Sequence, residues 1–254
     1  MPALTDQAIV LRTWDFSETS QTVSLLTRDH GIVRALAKGS RRPRSAFDGG
    51  LEILTRGHIA AIIKPTAELA TLTEWGLAEI FPHLRTSLTA HRAAFLIVDL
   101  VHHLFQPNDP HPRLFDATLD ALRALAHDAP SGPTIASFLW CALAEAGYAP
   151  TLDRNAITDD PLAPAESFAF SASAGGLIPD PGPASQPDGI WRLRSDTRQR
   201  LLDISAGAPV DASPPTHRAA RLLAVYAEWI IGRSLASATS WSQVARESND
   251  SGGT

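Results

Sequence analysis

The apolar periodicity of the chain changes once, near Leu84, and that change limits the fold more than any other feature. Before it, apolar residues fall in short runs between turn residues: AIVLR (8–12), TVSLLT (22–27), IVRALA (32–37), LEILT (51–55), HIAAII (58–63) and ELATLTEW (68–75). Runs of that length, leucine-rich or β-branched and broken by Gly57 and Pro65, read as strands. The second and third are joined by RDHG, a four-residue hairpin connection with Gly31 where a positive φ is wanted. The first 80 residues therefore predict a small β-barrel.

Beyond Leu84 the apolar residues recur with the helical period. Leu88, Phe95, Leu96, Val98, Leu100, Val101 and Leu104 form a stripe, capped by Thr86 or Ser87 and ending before Pro107. Further helices are expected at 112–127, at 133–146 with Gly147 as the stop, at 195–205, and at 216–236. The last would pack through Leu222, Leu223, Val225, Tyr226, Trp229 and Ile230. Residues 149–188, rich in Pro, Gly, Ser and Asp around FAF (168–170), read as loop or short hairpin. The fold class is α+β and multidomain: a barrel over 1–80, a mostly α-helical domain over 81–240, and a polar, disordered tail at 241–254.

With 254 residues, the chain can bury its own core without metal or disulfide. Its 44% hydrophobic and 19% charged residues are ordinary for a soluble protein, and no apolar run approaches the roughly 20 residues of a membrane span. MPALTDQAIV lacks the basic lead-in of a secretory signal. A single cysteine, Cys141, excludes an intramolecular disulfide and an all-cysteine metal cage, so a cytoplasmic setting is expected.

Net charge is -5, but it is unevenly spread. Between Arg34 and Arg44 lie five cations, Arg34, Lys38, Arg41, Arg42 and Arg44, and no anion, with Gly39, Ser40, Pro43 and Ser45 among them. Guanidinium groups bind phosphate oxygens bidentately, glycine admits a close backbone, and so the segment reads as a nucleic-acid contact rather than a merely solvated loop. Trp14, Phe16 and Phe47 flank these strands. They are placed to stack on unpaired bases or to fill the core, and Phe47 reads better as core.

Other candidates are weaker. Asp99 and His102, three positions apart and followed by His103, share a helical face but no third ligand is visible nearby, so a metal site, and with it a metal-dependent nuclease using Asp99, His102 and His103, is the minor reading. Cys141, in FLWCAL, reads as a buried thiol, and Asp159 with Asp160 as solvated carboxylates. None of the phosphate-loop, GxSxG or HExxH patterns occurs. The chain is not expected to be an enzyme, nor to carry a cofactor or metal.

The string AIVLRTWDFSETSQTVSLLTRDHGIVRALAKGSRRPRSAF resembles the N-terminal signature of the RecO recombination mediator family: an IVL strand (Ile9 to Leu11), an aromatic-x-ET turn (Phe16 to Thr19), an LT-x-x-x-G hairpin (Leu26 to Gly31) and an AKG-x-R-R-x-x-S loop (Lys38 to Ser45). Gly147 to Asp153, Phe168 to Gly176 and the helix holding Arg221 and Tyr226 are similar to the family's C-terminal domain. The resemblance implies an OB-fold barrel followed by helices. It implies binding of single- and double-stranded DNA, strand annealing, and action with RecR to help RecA replace single-strand-binding protein, all at the nucleoid. Carried over, the DNA-binding residues are Arg34, Lys38, Arg41, Arg42, Arg44 and Trp14. An alternative is a protein-interaction adaptor that binds RecR or the acidic tail of single-strand-binding protein through Arg123 and Arg221. Many members carry a four-cysteine zinc module; the corresponding positions here are Asn155, Thr158, Pro179 and Gly182, none of them a thiol.

Overall fold

The computed structural model describes residues 3–42, 45–48, 50–63, 67–182 and 188–250, and resolves into two compact units, Met1–Asp128 and Ala129–Thr254.

In the first unit, β1 (Ala3–Ser17), β2 (Ser20–Thr27) and β3 (Gly31–Ala37) form an antiparallel meander, followed by the short β4 (Phe47–Asp48), then β5 (Thr55–Ile62) and β6 (Ala70–Ile80). β5 pairs with both β1 and β6, and β3 pairs parallel with β6, so the ladder runs β1–β2–β3–β6–β5 and returns to β1. This is the OB-fold arrangement anticipated above. Strand alternation sends Val10, Val23, Leu25, Val33, Ala35, Ile59, Ala61, Leu72 and Trp75 to one interior, with Phe47 at 6% exposure among them. Each fully buried Val, Leu or Ile there contributes about 1.5–3 kcal/mol of transfer free energy.

Local chemistry sets the turns. Gly31, at φ +70, begins β3 with its Cα against the Asp109 backbone, leaving no room for a side chain. Asp6 of β1, its side chain only 2% exposed, accepts hydrogen bonds from Asp29 N–H (2.9 Å) and His30 Nδ1 (2.7 Å) and so fastens that turn. The expected strand at LEILT is instead a turn: Leu54 stands at φ 63 and donates its N–H to Val10 O, while Leu51 and Leu54 bury their side chains. Both leucines fill the core without extended pairing, which apolar content alone does not distinguish.

Three helices complete this unit: α1 (His83–Thr86), α2 (Leu88–Leu104) and α3 (Pro112–Ala126). Ser87 caps α2, its hydroxyl accepting from Ala90 N–H. The unit ends at Asp128, past the change of period, because α2 packs against β1 and β2.

The second unit holds α4 (Ser131–Glu145), a small sheet ordered β8–β7–β9 from β7 (Ser167–Ser171), β8 (Gly176–Ile178) and β9 (Ile190–Arg194), and then α5 (Ser195–Ser205), α6 (Pro214–Ile231) and α7 (Ala236–Asp250). Phe168, Phe170, Leu177 and Ile178 are buried, and Phe170 meets Tyr226 edge-on at 5.0 Å. Two expectations are corrected here. Helix α6 packs through Ala219, Ala220, Leu222, Leu223, Tyr226 and Ala227, leaving Val225 and Trp229 exposed. Of the tail expected to be disordered from 241, residues to Asp250 belong to α7, in which Trp241 is 1% exposed, and 251–254 lie outside the described residues. No helix among the described residues is long and apolar enough to cross a membrane.

Candidate nucleic-acid interface

On the outer surface of the meander, register sets Arg12 beside Ser24 beside Arg34, and Trp14 beside Thr22 beside Leu36. Lys38 follows on the same face of β3, since Ala35 and Ala37 turn inward. The chain then enters an ordered turn. Gly39, at φ +73, donates its N–H to Ser20 Oγ (3.0 Å); Ser40 Oγ donates to Gln21 Oε1 (3.2 Å); and Arg41 N–H donates to Thr19 O (3.1 Å). These bonds bury Ser40 and leave Lys38, Arg41 and Arg42 exposed. Arg44 lies outside the described residues.

The expectation that no carboxylate meets these cations fails at one position. Arg41 is paired with Asp15 of β1, 26 residues away in sequence. The register explains it: Asp15 opposes Gln21, which opposes Ala37, directly beneath the turn. Arg34, Lys38 and Arg42 have no acidic partner among the described residues. Both side chains of the Arg41 pair are substantially exposed, so it is worth roughly 0–1 kcal/mol and yields readily to a stronger anion.

Helix α2 closes one side of this surface, with His102, Asp99 and His103 against β1 and β2. His102 Nδ1 lies 3.0 Å from Ser24 Oγ, and its ring lies 5.7 Å from that of Trp14. Burial, then the charges of His103, Arg12 and Arg34, push the His102 pKa down to about 4, so the ring is neutral at physiological pH. Asp99 pairs with Arg12 and with His103. Because Asp99 and His102 face different partners, the three residues do not converge on one point, and no group of three potential metal ligands occurs among the described residues. Asp15, Ser24 and His102 were missed as members of this surface; polar Ser24 within the apolar run of β2 was the available signal.

The two candidate partner-binding arginines belong to different units. Arg123 is committed to a bidentate pair with Glu79 (2.9 and 2.8 Å), whose carboxyl is held below its usual range chiefly by that hydrogen bonding. Arg221 lines a groove of about 290 Å³ with Trp191, Leu193, Arg194, Leu222 and Val225. Cys141 is half-buried, and Asp159 is paired with Arg154.

Family models place these features. Residues 1–81 match the model described as Recombination protein O N terminal, and residues 85–237 match Recombination protein O C terminal. The chain belongs to the RecO family. It is 37% identical over 220 residues to the DNA repair protein RecO of Rhodopirellula baltica, covering 82% of each chain. It is 32% identical over 218 residues to that of Salinibacter ruber, covering 84% of this chain and 82% of the relative. It is 36% identical over 223 residues to that of Bifidobacterium adolescentis, covering 84% and 89%. RecO membership carries a role in DNA repair by recombination.

The zinc module implied for many RecO proteins does not fit the residues here. At the first knuckle Asn155 Oδ1 accepts from Ile157 N–H (3.0 Å) and Asn155 O accepts from Asp159 N–H (2.9 Å). At the second, Asp180 Oδ1 accepts from Gly182 N–H (2.9 Å), and its carboxylate also receives Arg192 (2.8 Å) and Ser167 (3.2 Å). Side-chain oxygens engaged in holding turns, with Pro179 and Gly182 at two ligand positions, cannot supply the thiolates of such a centre.

Proposed function

We propose that this RecO chain is a recombination mediator that binds single- and double-stranded DNA through Arg34, Lys38, Arg41, Arg42 and Arg44. It anneals complementary strands and acts with RecR to help RecA replace single-strand-binding protein, without catalytic turnover, in the cytoplasm at the nucleoid. The observation that carries this reading is the exposure of Arg34, Lys38 and Arg42 on one ordered strand-and-turn element with no acidic partner among the described residues. Fixed cations of one sign attract a polyanion and release its counterions without reading bases. Replacement of Lys38, Arg41 and Arg42 together by Ala should remove most affinity for oligonucleotides of any sequence. Binding that persists unchanged rejects the reading.

The groove beside Arg221 favours a second reading, an adaptor that holds an acidic protein tail such as that of single-strand-binding protein. Its lining joins the apolar Leu193, Leu222 and Val225 to the cationic Arg194 and Arg221. Competition between a tail peptide and DNA, followed by fluorescence anisotropy, separates the two: independent binding leaves the DNA function intact, and mutual exclusion assigns both ligands to one surface.

A further inference from the structure

The small sheet of the second unit, β8–β7–β9, treats its two edges differently. On the β8 side the chain covers itself: Leu177 donates its N–H to Thr151 O (2.9 Å), and Leu177 O accepts from Ala156 N–H (2.8 Å). On the β9 side no further strand pairs among the described residues. Register shows which groups are left over. Ser195 N–H donates to Glu166 O (3.0 Å) and Ala172 N–H donates to Gly189 O (2.8 Å), both in line with the β7–β9 pairing, so every second residue of β9 bonds to β7. Trp191 and Leu193 are those residues. Arg192 N–H and C=O, and Arg194 N–H, therefore point away from the sheet, and no hydrogen bond engages them among the described residues. The Arg194 carbonyl belongs to α5, which that residue caps. The same edge lines the groove of about 290 Å³ together with Arg221, Leu222 and Val225 of α6. Alternation turns Trp191 and Leu193 toward α6, where Trp191 meets Trp229 at 6.5 Å, and turns the exposed Arg192 and Arg194 to the other face.

We propose that β9 is a docking edge for an extended acidic segment of another protein, added as a fourth strand of this sheet. Carboxylates at alternate positions of the segment lie against Arg192 and Arg194, and apolar residues between them lie beside Leu193 and Val225. Unpaired main-chain groups on an exposed edge are a template for such addition, and side chains on the two faces give it specificity. Charge selects the occupant. A second copy would set β9 against β9 and arginine against arginine, which is destabilising, whereas opposite charges across a strand pair are favourable. Asp180 already meets Arg192 (2.8 Å), so a carboxylate fits this row, while Arg194 has no acidic partner among the described residues. The occupant differs from a protein tail held by its last residues: strand addition needs a run of main chain and no terminal carboxylate.

The test is a labelled peptide alternating Glu and Val, amidated at its C-terminus, titrated with the full chain and followed by anisotropy beside a Lys–Val control. The Glu–Val peptide should bind and the control should not. N-methylation of one alternate set of its residues should weaken binding about two- to tenfold for each donor removed, and methylation of the other set should leave it unchanged. On the protein, Arg194 stands at φ -76 and ψ 152, a conformation that proline shares. Arg194→Ala removes the cation alone and should weaken binding about two- to fivefold; Arg194→Pro removes the N–H as well and should weaken it further. Equal melting curves show that both variants keep the fold, and should the proline variant melt early, the methylated peptides still decide. Equal effects from the two methylated sets, or none from either, overturn strand addition. If an acidic peptide with a free C-terminus binds while the amidated Glu–Val peptide does not, the adaptor reading stands and the docking edge falls. Self-association of the chain that Arg194→Pro abolishes would also overturn the proposal, by placing a second copy on β9.

Discussion

Ser24 Oγ lies 3.0 Å from His102 Nδ1, joining the middle strand of the meander to the last turn of α2 across 78 residues of sequence. The bond holds a histidine whose pKa is lowered to about 4, chiefly by burial and then by the adjacent His103, Arg12 and Arg34. In the unfolded chain the ring titrates near 6.5, so below that pH the unfolded state binds a proton that the folded state refuses. Stability should decline as pH falls from about 6.5 to about 4. With the ring's partial exposure discounted, the loss is about 1–2 kcal/mol. Denaturant titrations at several pH values should show this slope, and His102→Asn should flatten it. An unaltered slope in that variant assigns the decline to other groups.

Asp15 draws Arg41 away from the other cations and adds a negative charge to the same surface. Asp15→Asn should raise DNA affinity about two- to fivefold, the range of an exposed ion pair, and steepen its fall with salt. Anisotropy at two ionic strengths measures both. Weaker binding would mean that Asp15 instead holds Arg41 in its DNA-contacting position.

Gly31 combines a left-handed backbone with contact against the Asp109 main chain. Gly31→Ala should cost about 2 kcal/mol or more, since both the φ penalty and the displaced loop act together. Equilibrium unfolding in urea checks the value. A change under about 0.5 kcal/mol would show that the 105–111 connection yields freely.

The knuckle positions of the second unit predict metal independence. Chelator should leave the melting temperature unchanged, and the purified protein should hold no stoichiometric zinc. Asp180→Ala should lower the melting temperature by releasing Gly182, Arg192 and Ser167 together. The Asp180 carboxyl sits below its usual range, first through the Gly182 hydrogen bond, so its contribution is present above about pH 4 and fades as pH falls further.

Much of the architecture was legible along the chain. The RDHG hairpin, the helix cap at Ser87 and α5 at Ser195–Ser205 fall where local signals put them, because each is decided by residues within one turn or hairpin. Misreadings arose where burial and backbone state part company. Leu51 and Leu54 are core residues on a turn, and Val225 and Trp229 stay about two-fifths exposed although Trp229 rests against Gly189 and Trp191. Hydrophobicity records which side chains profit from burial; it does not record whether a neighbour is there to bury them.

The sequence by itself determined the switch from strand to helix, the meander at its start and the cluster of cations after β3, since all three are written in residues a few positions apart. Only the tertiary structure decided that Asp15 would neutralise Arg41, that α2 would lean on the outer face of β1 and β2, and that Arg123 would be spent on Glu79. Those partners lie 26, 78 and 44 residues apart. Their meeting depends on strand register and on how the ladder returns to β1, quantities that no local pattern of side chains contains.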